Sequence, residues 1–356
     1  MDEKMMRSEV DEIVELVLKD YGQGRDIDNM DVFNLPDRDE VIAIVVKLLQ
    51  VLFPGYYRDK GYKFYNMYSK LNLQLEDIMY YLSRQIALAL AFDGKYGTLK
   101  DDDLEEEAQK IAIEFFRQIP KIRAKINTDI QATYDGDPAA FNKEEIVLSY
   151  PGLLASTVYR VAHELHLLGV RILPRMMSEY AHSITGIDIH PAARIGEYFF
   201  MDHGTGIVIG STSIIGDRVK IYQGVTIGAL STRGGHALSG SRRHPTLEDD
   251  VTIYSGASIL GGNTVIGKGS IVGGNAFITE SIPPGSRVSM SGAVANGNGS
   301  GNGSNGSAGS SAAGGDVPGR SISAGGAVIQ QCDTTCDECD NDTCWVGNVT
   351  EWEQEK

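Results

Sequence analysis

Three of the chain's 7 histidines stand beside other polar residues within one stretch: His190 in DIHP, His203 in MDHGTG and His244 in RRHP. Imidazole titrates near neutral pH, which makes each a candidate general base. Asp188 lies upstream of His203 by a little less than one coil of the repeat described below, so their side chains are expected to meet at one corner on neighbouring coils. A carboxylate on one ring nitrogen fixes the tautomer and favours the imidazolium that forms as the other nitrogen takes a proton. Asp188 and His203 therefore read as orienter and base. The plain alternative is a polar residue at a solvated turn. His163 and His166, in HELH, lack the HExxH spacing of a helical zinc pair and read as ordinary helix residues.

Those residues need a frame, and the sequence supplies one. Ile, Val, Leu or Met returns at Ile189, Ile195, Met201, Ile207, Ile215, Ile221, Ile227, Leu247, Ile253, Ile259, Ile266, Val272 and Ile278, mostly in steps of six. The period predicts three short strands per coil, stacked so that the aliphatic side chains fill a narrow prism, a parallel β-helix. Glycine and small residues turn its corners. Between Ile227 and Leu247 the pattern is broken by a stretch rich in Gly, Ser and Arg that ends in Arg242, Arg243 and His244. A loop extruded from a rigid scaffold is where binding residues gather.

Upstream, residues 1–182 read as an α-helical domain. Apolar residues recur at spacings of three and four in Val10 to Leu18, Val41 to Leu52, Leu71 to Phe92, Leu104 to Phe116 and Leu153 to Leu168, punctuated by Pro36, Pro54, Pro120, Pro138 and Pro174. The fold class expected is α+β: helical domain, β-helix over 183–290, a flexible linker over 291–315, and a disordered acidic tail over 316–356. In the linker 24 of 25 residues are Gly, Ser, Asn or Ala. The tail carries all 4 cysteines, Cys332, Cys336, Cys339 and Cys344, so the body holds no disulfide and suits a reducing compartment. Four thiolates at that spacing could hold zinc, although the set is tight for it.

A net charge of −16 argues against a nucleic-acid partner, which needs clustered Lys and Arg. The longest apolar run, Val41 to Phe53, is interrupted by Lys47 and Gln50 and is shorter than the roughly 20 residues that span a bilayer. The acidic, periodic N-terminus does not read as a signal peptide, and a cytoplasmic protein is expected.

Taken in order after a helical domain, GIDIHPAARIG, MDHGTGIVIG, QGVTIG and RRHPTLEDDVTIYSGASILGG resemble the serine O-acetyltransferases of bacteria and plants, which acetylate L-serine with acetyl-CoA in cysteine biosynthesis. The resemblance covers Ala124 to Pro284 well and the earlier helices loosely. It implies a left-handed winding of the β-helix, a catalytic histidine at His203 and its partner at Asp188. It also implies a serine pocket of Asp137 (from DGDPAA), Asp202, Arg243 and His244. The aspartates would hold the substrate ammonium and the guanidinium fork its carboxylate. Acetyl-CoA would lie between adjacent subunits of a homotrimer, near Gly228, Ala229, Ser255 and Gly256, with trimers sometimes paired into hexamers and no metal required.

The sequence departs from the family in three places. The loop Ala229 to Arg243 is longer than in shorter members, and Gly204 stands where Ala is common. The chain ends in EWEQEK, without the C-terminal isoleucine that inserts into O-acetylserine sulfhydrylase, so that partner is not expected by that route. Three rival readings remain: acyl transfer to another acceptor such as a sugar, a zinc hydratase using His203, His236 and His244, and a non-catalytic scaffold. Asp137 favours an amino-acid acceptor, and the pairing of His203 with Asp188 favours a base.

Overall fold

The computed structural model describes residues 3–28, 34–57, 66–93, 96, 100–290, 321–324 and 327–331. Among the described residues eight helices come first: α1 (Glu3–Tyr21), α2 (Arg38–Leu52), α3 (Met67–Ala91), α4 (Asp101–Arg117), α5 (Ile119–Gly136), α6 (Lys143–Ser149), α7 (Pro151–Leu167) and α8 (Ile172–Thr185). The chain divides into two compact units, residues 1–117 with 168–176, and residues 118–167 with 177–356. The change of packing unit therefore falls at Gln118, well before secondary structure changes near residue 186. Among the described residues no helix is long and apolar enough to cross a membrane.

In the first unit α2 starts on an Asp37 cap, whose side chain accepts from the Glu40 amide. The core includes Val41, Ile44, Leu48, Ile78, Leu82, Ile86, Ala108 and Phe115, all at most 1% exposed. A buried Gln85 ties α3 to the start of α2 by accepting from the Asp37 amide at 2.8 Å.

In the second unit α5 and α7 are bolted to the first coil of the β-helix. Arg160 and Asp129 form a two-pronged ion pair, with Nε and Nη2 at 2.6 and 2.7 Å from the carboxylate oxygens, and the side chains are 3% and 1% exposed. Arg160 Nη2 also donates to the Gly196 carbonyl at 2.9 Å, and Asp129 accepts from the Phe199 amide at 3.0 Å. Burial pushes the Asp129 carboxyl up, and Arg160 and the Phe199 amide offset only part of that rise. The Tyr159 hydroxyl donates to the Ala193 carbonyl at 2.6 Å, and His163 Nδ1 lies 2.7 Å from that of Pro191. His163 is thus a structural histidine stacked on Tyr159.

Strands β1 (Asp188–Ile189), β2 (Arg194–Ile195), β3 (Phe200–Asp202), β4 (Val208–Ile209), β5 (Ile214–Ile215), β6 (Lys220–Tyr222), β7 (Thr226–Gly228), β8 (Thr246–Leu247), β9 (Thr252–Ile253), β10 (Ser258–Leu260), β11 (Val265–Ile266), β12 (Ile271–Val272), β13 (Phe277–Ile278) and β14 (Ser286–Met290) follow. Three parallel faces result, β1-β4-β7-β10-β13, β2-β5-β8-β11 and β3-β6-β9-β12-β14. This is a parallel β-helix of about five turns with the predicted aliphatic core, in which Ile221, Ile227, Leu247, Ile253, Ile259, Ile266 and Val272 are fully buried.

Two corners are turned by columns of residues with left-handed backbone. Gly186, Gly206, Gly224, Gly256 and Asn275 line the corner between the third and first faces, with φ of 57–82°. Tyr198, Arg218, Asp250, Gly269 and Gly285 line the corner between the second and third faces, with φ of 55–69°. The first column contains the main departure from the simple repeat. Ile189 pairs with Ile209, and Ile209 with Ile227, so Ile209 and not Ile207 belongs to the inward column. Two residues more than in the next coil separate β3 from β4, and they bulge out at the corner as His203 and Gly204, with φ of 56° and 84°. Six-residue counting passes over this bulge because Ile207 is also buried, one corner position earlier.

Within residues 316–356 two strands are described, β15 (Ser321–Ala324) and β16 (Ala327–Gln331), which pair antiparallel, with β16 also antiparallel to β14. Gly325 and Gly326 between them are a hairpin signal that the composition of the tail hides. The linker 291–315 and the four cysteines lie outside the described residues.

Candidate active site

His203 owes its position to the corner bulge. Its side chain is 71% exposed, and the recorded ion pair is with its neighbour, Nε2 to Asp202 Oδ2 at 3.7 Å. Gly204 packs so closely on Ile187 that a Cβ would collide with that side chain, and its φ of 84° is one that L residues seldom adopt. The loop carrying His203 is thereby pressed onto the residues that lead into Asp188. The register puts Val208, not His203, directly over Asp188, because the first coil is longer than eighteen residues. Asp188 sits half-buried at the start of β1, its carboxylate within 4.8 Å of ligand-capable atoms of Glu179 and His182.

Asp137 is the C-cap of α5. Its Oδ1 accepts from the Ala139 amide at 2.8 Å and its Oδ2 from the Tyr150 hydroxyl at 2.6 Å. The Tyr150 hydroxyl is pushed up to about 12, first by this hydrogen bond, then by burial and by the negative charges of Asp137, Glu145 and Asp202. Tyr222, opposite Asp202 in the ladder, is shifted upward by burial, Tyr254 and the charges of Asp202 and Asp137. Its ring stacks on Tyr254 with centroids 5.0 Å apart. The two aspartates thus act on the same hydroxyls. Two glycines permit this close docking: a Cβ at Gly152 would collide with the Met201 carbonyl, and one at Gly136 would lie 2.7 Å from the Phe200 ring.

Arg243 and His244 come from the long loop and stand at another corner, between the first and second faces. Arg243 Nη2 donates to Ser211 Oγ at 2.9 Å, and the Arg243 and His244 amides both donate to Thr212 Oγ1, at 2.9 and 3.0 Å. The Thr212 amide in turn donates to His244 Nδ1 at 3.1 Å, with Thr212 Oγ1 2.8 Å from the same nitrogen. Nδ1 is thereby an acceptor, which leaves the proton on Nε2. Burial, then Arg243, lower the His244 pKa from 6.5 to about 4, so the ring is neutral at pH 7. The unfolded chain binds this proton between about pH 6.5 and 4 and the folded chain does not, so folding stability falls as pH drops through that window. Denaturation midpoints measured from pH 7.5 to 4.5 are expected to fall less steeply for His244→Asn than for the wild type.

Gly228 and Ala229 open the same loop at the corner of Arg243, whereas Ser255 and Gly256 turn the corner of His203. One chain therefore brings Asp137, Asp202, Tyr150 and Tyr222 together, and His203 with Asp202. Arg243, His244, Gly228 and Ala229 stand one face away. His236 lies in an exposed 3₁₀ turn, Gly235–Leu238, and within one chain, among the described residues, Glu179, His182 and Asp188 form a grouping of three metal-capable side chains.

An exposed imidazole thrust from the corner of a stacked-coil prism is the working part of the hexapeptide-repeat acyltransferases, the class that fold and site define. The chain matches no family model. A Synechococcus elongatus protein named serine acetyltransferase, plasmid, is 41% identical over 264 residues, which is 72% of this chain and 82% of that protein. A Synechocystis serine acetyltransferase is 46% identical over 133 residues, 37% of this chain and 51% of its own length. The crystal structure of Entamoeba histolytica serine acetyltransferase 1 in complex with L-cysteine superposes with a TM-score of 0.59 at 36% identity, covering 67% of this chain and 83% of that one. The chain belongs to the serine acetyltransferase family.

Proposed function

We propose that this chain transfers the acetyl group of acetyl-CoA to the hydroxyl of L-serine, giving O-acetylserine and CoA, with His203 as the base. The observation that carries the reading is His203 on its bulge, solvent-accessible, beside Asp202, in a site where Asp137 adds a second carboxylate. Asp137 and Asp202 seat the serine ammonium, Arg243 its carboxylate, and neutral His244 donates from Nε2. His203 takes the hydroxyl proton while the serine oxygen attacks the thioester carbonyl. Backbone amides at Gly228 or Ala229 stabilise the oxyanion. The intermediate collapses with cleavage of the C–S bond, and His203 returns the proton to the departing thiolate. Asp188 acts through His203 by fixing its tautomer.

Because these groups stand at two corners of the prism, a full site takes one corner from each of two neighbouring chains. This supports a homotrimer, with pairing into a hexamer as a further step, and CoA between chains near Ser255 and Gly256. The protein is read as cytoplasmic and the reaction as needing no metal. The test is thiol release from acetyl-CoA with L-serine, with sugar acceptors and with none. Release that requires serine is the expected result, and release with another acceptor alone would overturn the substrate.

A further inference from the structure

Asp137 is held on both sides. The Ala139 amide occupies one lone pair of Oδ1 and the Tyr150 hydroxyl one of Oδ2, so the carboxylate cannot rotate without losing a bond, and one lone pair on each oxygen remains. Tyr150 is itself held in place. It caps α6, its amide donating to the Ile146 carbonyl, and Pro151 behind it restricts its backbone to the extended conformation observed, φ −82° and ψ 118°. One residue further, Gly152 lies directly against the Met201 carbonyl, beside Asp202. Tyr150 is therefore fixed to the strand that ends in Asp202 while its hydroxyl grips Asp137 at the end of a different helix.

We infer that Tyr150 is a positioning residue for acceptor binding in this enzyme, holding the Asp137 carboxylate beside the strand that ends in Asp202 so that the pair receives an alkylammonium group. The inference rests on the serine acetyltransferase reading and names the residue that keeps its amine subsite in place. The hydrogen bond to Asp137 and burial, with smaller contributions from the charges of Asp137, Glu145 and Asp202, raise the hydroxyl's pKa, so it remains a donor at physiological pH. A charge-assisted hydrogen bond is among the stronger polar contacts, and its loss frees Asp137 to turn toward water. The hydroxyl is engaged by Asp137 and not by His203, so the consequence is expected on acceptor binding rather than on the chemical step.

The experiment is steady-state kinetics on the full-length chain for the wild type, Tyr150→Phe, Asp137→Asn and the double variant, with L-serine and acetyl-CoA each varied. Tyr150→Phe is expected to raise KM for serine about tenfold, as for loss of one such bond, with kcat within about threefold and KM for acetyl-CoA unchanged. In the Asp137→Asn background the same substitution is expected to add less than about twofold, because the group it positions has lost its charge. A general loosening of the fold would raise both KM values and lower the melting temperature of Tyr150→Phe, and would overturn the inference. So would a penalty that persists undiminished without the Asp137 charge, or a Tyr150→Phe enzyme that matches the wild type. Those outcomes leave serine acetylation itself intact, whereas a wild type that does not acetylate serine overturns both.

Discussion

His203→Ala is expected to lower kcat for serine-dependent CoA release by about 10²-fold or more, the usual contribution of a positioned general base. The side chain is 71% exposed and fills no cavity, so its removal costs no packing. Its backbone φ of 56° is tolerated somewhat better by histidine than by alanine, so the substitution carries only a small local cost in the loop. An unchanged melting temperature with lost turnover would therefore isolate the chemistry. On the proposal that Asp188 orients that imidazole, Asp188→Ala is expected to add little when combined with His203→Ala, since residues that work as a unit are not additive. Full activity in His203→Ala would sink the general-base reading.

Arg160→Met is expected to destabilise the second unit by about 3–5 kcal/mol, the cost of leaving one partner of a buried ion pair without its counter-charge. Asp129 then retains the Phe199 amide and the Ser156 hydroxyl but no counter-charge, in a site 1% exposed. Pairing Arg160→Met with Asp129→Leu is expected to recover much of the loss, because no orphaned charge remains, but not all of it: the Gly196 carbonyl and the Phe199 amide each lose a partner. Chemical denaturation of the two variants beside the wild type measures this. If Arg160→Met unfolds at the wild-type midpoint, the pair does not fasten α5 and α7 to the β-helix. The stakes reach the site, since α5 ends at Asp137.

The repeat was legible because an aliphatic side chain in a narrow prism has no substitute for size and shape, so the core writes itself into the sequence at fixed intervals. Its one misplacement, Ile207 for Ile209, arose because both residues are buried and only strand pairing tells them apart. The helices with wide apolar stripes were equally plain. What stayed hidden were the polar contacts between distant positions. Tyr150 and Asp137 are 13 residues apart, and Thr212 and His244 32, and no period joins either pair. Tyr150 carried a faint signal in the proline after it, which fixes its backbone. Asp129 and Arg160, separated by 31 residues on two helices, carry no sequence signal of the ion pair that the packing buries.

The paired columns of left-handed corner residues also mark where the protein could be lengthened. Each coil touches the coil above and the coil below, and Leu247 and Ile266 occupy equivalent positions 19 residues apart. Duplicating residues 247–265 would repeat Asp250 and Gly256 in phase with the existing corners and add one storey to the prism. The bulge at His203, two coils below, would keep every neighbour it has, which makes this β-helix a scaffold whose height can be engineered separately from its chemistry.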